Sequence, residues 1–296
     1  MKRLCSANPM WATWAIMFWG IGIALFVSHN QAYGTEAKDD RVLALGGSVT
    51  EIVYALGEGD RLIARDTTST FPAQATALPD VGYVRALSPE GVLSVDPTLI
   101  ISEEGAGPPE TIEVLQDAAI PFVTVPDRYD RAGLLAKIEA VGAALDVPEK
   151  AEDLAETLDG ELRVAEARAT NISQQPKRVL FILSTQGGRI MAAGRDTAAS
   201  AIIQMGGGIN AITEFEGYKQ ITDEAVSLAA PDVILMMDRG GDHGASDDEL
   251  FAMPAIITTP AAETRSVIRM DGLYMLGFGP RTAQAAIDLN ERLYGG

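Results

Sequence analysis

Cysteine, tryptophan and histidine are almost absent from most of this chain. The single cysteine and the three tryptophans all lie within the first 19 residues, and the two histidines are His29 and His243. Without cysteine pairs the fold cannot rely on disulfide bonds, so its hydrophobic core must be large enough by itself. A Cys/His catalytic pair is excluded, and no GxSxG sequence surrounds a serine that could serve as a nucleophile.

One acidic loop leaves a direct metal site open. His243 lies beside Asp242, Asp247 and Asp248 in the glycine- and aspartate-rich stretch 239–249. Clustered carboxylates and a histidine can bind Zn²⁺ or Mn²⁺, although such sites usually contain several histidines or cysteines. A solvated surface loop explains the same composition, and the spacing does not separate the two interpretations.

Basic residues are outnumbered, and phosphate-binding loops are missing. The chain has 23 Lys and Arg against 41 Asp and Glu, a net charge of −18. This balance argues against nucleic acid or an anionic membrane surface as a partner. A nucleotide-binding enzyme would need a glycine-rich loop between a strand and a helix, but Gly46-Gly47-Ser48 is too short and Gly206–Gly208 follows a predicted helix.

The N-terminus has the layout of a secretory leader. Lys2 and Arg3 precede an apolar run over about 10–27, and the small residues of Ala32-Tyr33-Gly34 follow. These features predict a cleaved signal peptide over 1–34 and export to the periplasm. An uncleaved anchor is the alternative, because the apolar run approaches the length that spans a bilayer.

Two segments of the chain are nearly the same. Residues 82–101 read GYVRALSPEGVLSVDPTLII, and residues 217–235 read GYKQITDEAVSLAAPDVIL. Each copy predicts a loop carrying Gly-Tyr, a capped helix and a buried strand that begins at proline. A supersecondary unit that occurs twice in a chain of this length predicts two similar lobes with a cleft between them.

The order of predicted elements gives the fold class. Strands alternate with helices over 41–147 and again over 177–296, a pattern typical of α/β lobes with mainly parallel sheets. Between them, 148–173 is rich in Ala, Leu and Glu and predicts one connecting helix, roughly 33 Å long for about 22 residues. We therefore expect two α/β lobes joined by a long helix, with a ligand cleft between the lobes.

Tyr83 is the candidate ligand for a metal ion. It follows a glycine in a loop, and Arg85 lies two residues later, on the same side of an extended segment. A guanidinium next to a phenol favours the phenolate, which is a suitable ligand for ferric iron, including haem iron. A tyrosine packed on the lobe surface beside a solvated arginine is the alternative, and the spacing alone leaves it open.

Glu90 and Glu224 occupy equivalent positions in the two repeated helices. Each lies in a first helical turn, where negative charge complements the helix dipole and stabilises it by about 0.5 kcal/mol. That local role is sufficient to explain both residues. Because the pair is matched between the lobes, it could also dock onto a two-fold symmetric basic partner.

Several segments together resemble a known family. They are RVLALGGSVTEIVYALG at 41–57, LPDVGYVRALSPEGVLSVDPTLII at 78–101, GRIMAAGRDTAASAIIQMGGGIN at 188–210 and LGFGPRTAQA at 276–285. With the leader and the long helix, they resemble the periplasmic haemin-binding proteins of bacterial haem ABC importers. These proteins form part of a helix-hinged class of substrate-binding proteins that also serves cobalamin and iron-siderophores.

The resemblance implies roles for particular residues. The family's iron-ligating tyrosine corresponds to Tyr83, the arginine that supports its phenolate to Arg85, and the permease-docking glutamates to Glu90 and Glu224. Some members have a further histidine ligand near the first strand of the second lobe. This chain reads Leu-Ser-Thr-Gln at 183–186, without a histidine, so a second iron ligand at that position is not expected.

The predicted ligand implies further contacts. Haem is a flat apolar disc with two carboxylates, so the cleft should offer apolar walls and basic or polar groups. Arg239 and Arg189 are candidate partners for the propionates, Tyr218 is expected opposite Tyr83, and Phe71 could pack on the porphyrin face.

The resemblance implies a binding protein rather than an enzyme. We expect a periplasmic monomer that captures haem as cargo and delivers it to the permease dimer of an inner-membrane ABC importer. The same fold binding a corrinoid or a ferric siderophore is the nearest alternative, and a secreted enzyme that uses the cleft is a more distant one.

Overall fold

A computed structural model describes residues 40–238 and 246–295. The predicted leader 1–34 lies outside the described residues, as do Arg239 and His243 in the acidic loop. Within the described ranges, no helix is both long and apolar enough to cross a lipid bilayer.

The first lobe is built on a four-stranded parallel sheet with the order β2-β1-β3-β4. Its strands are β1 (Val42–Leu45), β2 (Leu62–Arg65), β3 (Leu99–Glu103) and β4 (Phe122–Val125). Its helices are α1 (Gly47–Ala55), α2 (Pro89–Leu93), α3 (Pro109–Asp117) and α4 (Arg131–Ala144). Apolar side chains of β1 and β3 face helices on both sides of the sheet, as expected for parallel strands.

The second lobe contains a mixed sheet with the order β10-β9-β5-β6-β8, and β7 pairs with β5. Its strands are β5 (Arg178–Ser184), β6 (Ile190–Ala193), β7 (Ile209–Asn210), β8 (Tyr218–Ile221), β9 (Val233–Asp238) and β10 (Val267–Asp271). Its helices are α6 (Ala198–Met205), α7 (Asp223–Ala229), α8 (Asp247–Phe251), α9 (Pro260–Thr264), α10 (Gly272–Leu276) and α11 (Thr282–Tyr294).

The second sheet is less parallel than the sequence pattern indicates. Strand β6 runs antiparallel to both β5 and β8. Only the five residues 185–189 separate β5 from β6, and a connection this short joins adjacent strands that run antiparallel. The prediction of mainly parallel sheets therefore holds fully for the first lobe, while the second lobe has an antiparallel edge.

The repeated segments fold alike. Helices α2 and α7 are capped by Ser88 and Thr222, whose hydroxyl oxygens accept hydrogen bonds from backbone N–H groups three residues later, at 3.0 and 3.2 Å. Both segments then pass through a left-handed residue, Asp96 with φ 52° and Ala230 with φ 41°, before strands β3 and β9 begin. The internal repeat thus reflects two structurally equivalent units.

Helix α5 (Pro148–Thr170) joins the two lobes. Leu158 and Leu162 of this helix are buried in the core of the first lobe, and Ala165, closer to its C-terminal end, packs into the core of the second lobe. A single continuous helix therefore contributes to both hydrophobic cores.

Candidate functional site

A cavity of about 760 Å³ lies between the lobes. Its walls come largely from residues at or just after the carboxyl ends of strands, including Gly47 after β1, Glu103 in β3, Asp127 after β4, Asp238 in β9 and Gly272 after β10. Open α/β sheets bind ligands at this edge, because the loops and helix N-termini that follow the strands converge there. The position of the cavity agrees with the predicted cleft.

Tyr83 lines this cavity and is 48% exposed. Within the described parts of the chain, its hydroxyl group makes no hydrogen bond. The surrounding backbone is a turn, because the Ala86 N–H donates to the Tyr83 carbonyl oxygen at 2.7 Å. The expectation of an extended segment is therefore wrong, although both Tyr83 and Arg85 do line the cavity.

Tyr218 lies in the wall contributed by the second lobe, at the start of β8. Its ring makes an edge-on contact with Phe181, with 6.3 Å between the ring centroids. Burial raises the pKa of its phenol, and the opposing effects of the Ala199 N–H, Arg85 and Thr197 are smaller. Tyr218 is therefore held as a neutral phenol in the unliganded protein.

Arg85 contributes positive charge to the cavity wall. Burial raises the pKa of Tyr129 and Tyr218, and the charge of Arg85 partly opposes both shifts. The same charge opposes the increase in the pKa of Glu103. The guanidinium therefore acts on residues of both lobes across the cavity.

A buried lysine donates hydrogen bonds to polar residues of the cavity wall. Lys137, on α4, is fully buried. Its ammonium group donates to Asp127 Oδ1 at 2.6 Å, to Ser48 Oγ at 3.2 Å and to the Phe278 carbonyl oxygen at 3.2 Å. Tyr129 donates its hydroxyl hydrogen bond to the other carboxylate oxygen of Asp127, at 3.1 Å. Because Phe278 belongs to the second lobe, this network also ties the lobes together.

Helix α1 contacts other elements near its start. Gly46 occupies its N-cap position, and Ser48 Oγ accepts a hydrogen bond from Lys137. Glu51 lies one turn further along the helix. It is buried and forms a bidentate ion pair with Arg281 of the second lobe, with N–O distances of 3.0 and 2.8 Å. Tertiary contacts, with α4 for Ser48 and with the second lobe for Glu51, determine the roles of both side chains.

Phe71 and Arg189 are not among the residues that line the cavity. Phe71 lies beneath the Arg281 guanidinium, with 3.6 Å from the guanidinium carbon to the ring centroid, and Tyr274 lies 5.1 Å from the same group. Arg189 is exposed in the turn before β6. Their predicted contacts with haem are untested, and any such contact would have to involve the ligand outside this cavity.

Glu90 and Glu224 lie away from the cavity, exposed on α2 and α7. They occupy the same position in two equivalent helices, one in each lobe. This placement is compatible with a partner that contacts both lobes, and their predicted role in docking remains a prediction.

Sequence reasoning missed several residues of the wall. Tyr129, Asp127 and Glu103 line the cavity, and Lys137 lies directly behind it. The positions of Glu103 and Asp127 could have indicated that they line the site, because they lie at or just after the carboxyl ends of two neighbouring parallel strands. Lys137 gave no such signal, since it lies in the middle of a helix.

A family model described as periplasmic binding protein matches residues 42–273. The chain belongs to this family. Its members are transport-associated binding proteins rather than enzymes. The predicted resemblance is confirmed at this level, and the chain is a substrate-binding protein of this class.

Solved structures similar to the chain include haem-binding members of the family. The periplasmic haem-binding protein RhuT from Roseiflexus sp. RS-1, in its apo form, is 38% identical, with a TM-score of 0.82 over 86% of this chain and 98% of that one. The periplasmic haem-binding protein BhuT, in complex with two haems, is 40% identical, with a TM-score of 0.81 over 86% of this chain and 97% of that one.

Curated relatives include other members of the family. An ABC transporter substrate-binding lipoprotein of Bacillus subtilis, YvrC, is 27% identical and covers 90% of this chain and 83% of its own length. The vitamin B12-binding protein of Yersinia pestis is also 27% identical, over 74% of this chain and 76% of its own length.

Proposed function

We propose that this protein captures ferric haem between its lobes and delivers it to the permease of an ABC importer. The observation that carries the proposal is the state of the three tyrosines at the cavity. Tyr129 and Tyr218 are held as neutral phenols, whereas Tyr83 is about half exposed with a hydroxyl group free of partners in the described structure. The haem-binding neighbours support the same ligand.

The walls of the cavity suit a flat apolar ligand with acidic edges. A Tyr83 phenolate would bind ferric iron, with the positive charge of Arg85 beside it. Helices α1 and α6 begin at the cavity, and the positive ends of their dipoles favour carboxylates. Apolar side chains that could pack on the porphyrin include Val84, Leu183, Met237, Leu273 and Leu276.

Substitution of Tyr83 tests the iron ligand. With haemin added, we expect the wild-type protein to show the visible spectrum of high-spin ferric haem bound to tyrosinate. Tyr83→Phe should lose that spectrum, because phenylalanine fills the same space without the ligating oxygen. Tyr218→Phe is the matched control, since it removes the equivalent hydroxyl from the opposite wall.

Three outcomes separate the possibilities. Loss of the tyrosinate bands in Tyr83→Phe alone supports the proposal. Loss in Tyr218→Phe instead would move the ligand to the second lobe. Absence of any spectral change when haemin is added to the wild-type protein would refute haem binding.

A corrinoid is the second candidate ligand. The vitamin B12-binding relatives favour it. So does the composition of the wall, where Glu103, Asp127, Asp196, Asp238 and Asp271 far outnumber basic residues. Corrinoids carry amide groups, which can donate hydrogen bonds to these carboxylates. Titration with cyanocobalamin in place of haemin distinguishes the two ligands directly.

Export and assembly complete the proposal. The leader predicted at 1–34 would direct the chain to the periplasm, and the lobes at 41–147 and 177–296, joined by the segment 148–173, would hold the ligand between them. The protein would then meet its permease through Glu90 and Glu224, as a monomer.

A further inference from the structure

Glu103 is one of the acidic side chains of the cavity wall that have no role in the proposed iron ligation. It is the last residue of β3, in the middle of the parallel sheet, and its side chain faces the ligand space. The carboxylate packs directly on the backbone of Gly46, where an added Cβ would lie 2.3 Å from Glu103 Oε2. The carboxyl group therefore lies against the backbone at the edge of the cavity.

The two neighbouring carboxylates are already occupied by hydrogen bonds. Asp66 accepts from the Gly46 and Thr68 N–H groups, at 3.0 and 2.8 Å, and from the Ser69 hydroxyl at 2.7 Å. Asp127 accepts from Lys137 and Tyr129. These donors stabilise the ionised form of both residues.

Glu103 differs from these neighbours in its partners. Within 40–238 and 246–295, its carboxyl group makes no hydrogen bond, while the charges that act on it are those of Asp127, Lys137, Asp66 and Arg85. When three carboxyl groups lie close together, the proton resides on the one whose ionised form is least stabilised. The geometry therefore assigns the proton to Glu103.

The electrostatic balance agrees with this assignment. Burial, followed by the charge of Asp127, raises the pKa of Glu103 to about 7, and Lys137 and Arg85 only partly oppose the increase. Below that pH the group is a neutral acid that can donate a hydrogen bond to a ligand in the cavity. Above it the group is a carboxylate that repels anions.

We propose that Glu103 binds the ligand as a neutral carboxylic acid and donates a hydrogen bond to a propionate of haem. The inference rests on the proposed function. Its consequence is a coupling between ligand and proton: above neutral pH, binding takes up one proton from solvent onto Glu103. The protonated Glu103 side chain thus donates a hydrogen bond to a ligand carboxylate, which the ionised side chain would repel.

The test compares haemin affinity across pH 6–9 in the wild-type protein and in Glu103→Gln. Glutamine has the same shape, stays neutral and can still donate a hydrogen bond. We expect the ratio of the wild-type Kd to the variant Kd to rise above pH 7, by about tenfold per pH unit for one linked proton. The ionisations of haemin itself affect both proteins alike and cancel in the ratio.

A matched control removes the same charge elsewhere. Glu113 lies on α3 and is exposed to solvent. The Kd of the Glu113→Gln variant for haemin should equal that of the wild type at every pH. A ratio for Glu103→Gln that stays flat from pH 6 to 9 would overturn the inference and leave haem binding itself intact. Failure of the wild type to bind haemin at any pH would refute the proposed function, and this inference with it.

The pH dependence of the unfolding free energy, measured without ligand, tests whether Glu103 is protonated in the folded protein. Because the folded protein holds a proton on Glu103 that the unfolded chain releases near its ordinary pKa, the wild type should lose unfolding free energy as pH rises from about 5 to 7. This loss should be absent in Glu103→Gln. Equal pH dependence in the two proteins would contradict the assignment of the proton to Glu103.

Discussion

Gly46 leaves space for the Glu103 carboxyl group because it has no side chain. The backbone has φ 118° at this position, in a region that L-residues rarely adopt, and an added Cβ would overlap the glutamate. Gly82 has a similar φ of 109°, but nothing lies within 4 Å of its added Cβ. Substitution of Gly82 should therefore cost backbone strain alone, whereas substitution of Gly46 should cost backbone strain and steric overlap.

Alanine at these two positions should have different effects. Both substitutions strain the backbone, but Gly46→Ala should lower the free energy of unfolding by roughly 1–3 kcal/mol more than Gly82→Ala, because it also displaces a packed side chain. Urea unfolding at pH 7 measures the difference. Equal losses would mean that Glu103 can move away from Gly46 at little cost.

The residues of the site were only partly predictable from the sequence. Tyr83 and Arg85 are carried by a local motif and do line the cavity. Lys137 reaches Ser48 and Phe278, which lie 89 and 141 residues away along the chain. No local pattern encodes contacts at such distances, since they exist only when α1, α4 and the segment between α10 and α11 pack together in the folded protein.

Helices α2 and α7 present equivalent surfaces at the level of secondary structure. Each is capped at its start by a hydroxyl group and carries one exposed glutamate in its first turn, Glu90 and Glu224. Their equivalence follows from the internal repeat. A two-fold permease could therefore contact both with equivalent basic residues.

Removal of both glutamates tests this docking role. Glu90→Ala/Glu224→Ala should reduce import by about tenfold or more, because each change leaves a basic group of the permease without its partner. Affinity for haemin should not change, since both residues lie away from the cavity. Glu113→Ala/Glu263→Ala removes exposed glutamates from α3 and α9 as a control, and an equal loss of import there would refute a specific role.

The sequence predicts a helix or strand correctly where nearby residues determine it. Pro148 marks the start of α5, and the Ala-, Leu- and Glu-rich sequence continues it to Thr170, close to the predicted connecting helix. The antiparallel edge of the second sheet was missed because strand direction depends on pairing between distant segments. Only the short turn before β6 carried a local hint.

At the scale of the whole molecule, the lobes are tied by more than the helix. Beside α5, Lys137 donates to the Phe278 carbonyl oxygen, and Arg281 pairs with the buried Glu51 while it covers Phe71. Buried ion pairs are costly to break, because the remaining charge stays desolvated. These contacts favour small movements of the lobes over a wide hinge closure.

Loss of the Arg281 side chain should therefore affect the whole molecule. We expect Arg281→Ala to lower the free energy of unfolding by about 3–5 kcal/mol, since it leaves Glu51 buried without a partner. Arg168→Ala is the control, because its partner Glu291 is exposed and such pairs contribute about 1 kcal/mol or less. Similar losses in the two variants, measured by urea unfolding, would show that the Glu51 pair does not hold the lobes together.

These contacts between the lobes have a consequence for competition between empty and loaded molecules at the permease. If the lobes barely move, empty and loaded molecules present Glu90 and Glu224 at nearly the same separation. A permease that recognises only these two glutamates would accept both forms, and empty molecules would occupy it as competitors. The rate of delivery would then follow the fraction of molecules that carry cargo, so scarcity of the ligand would slow import twice, through fewer loaded carriers and through more blocked docking sites.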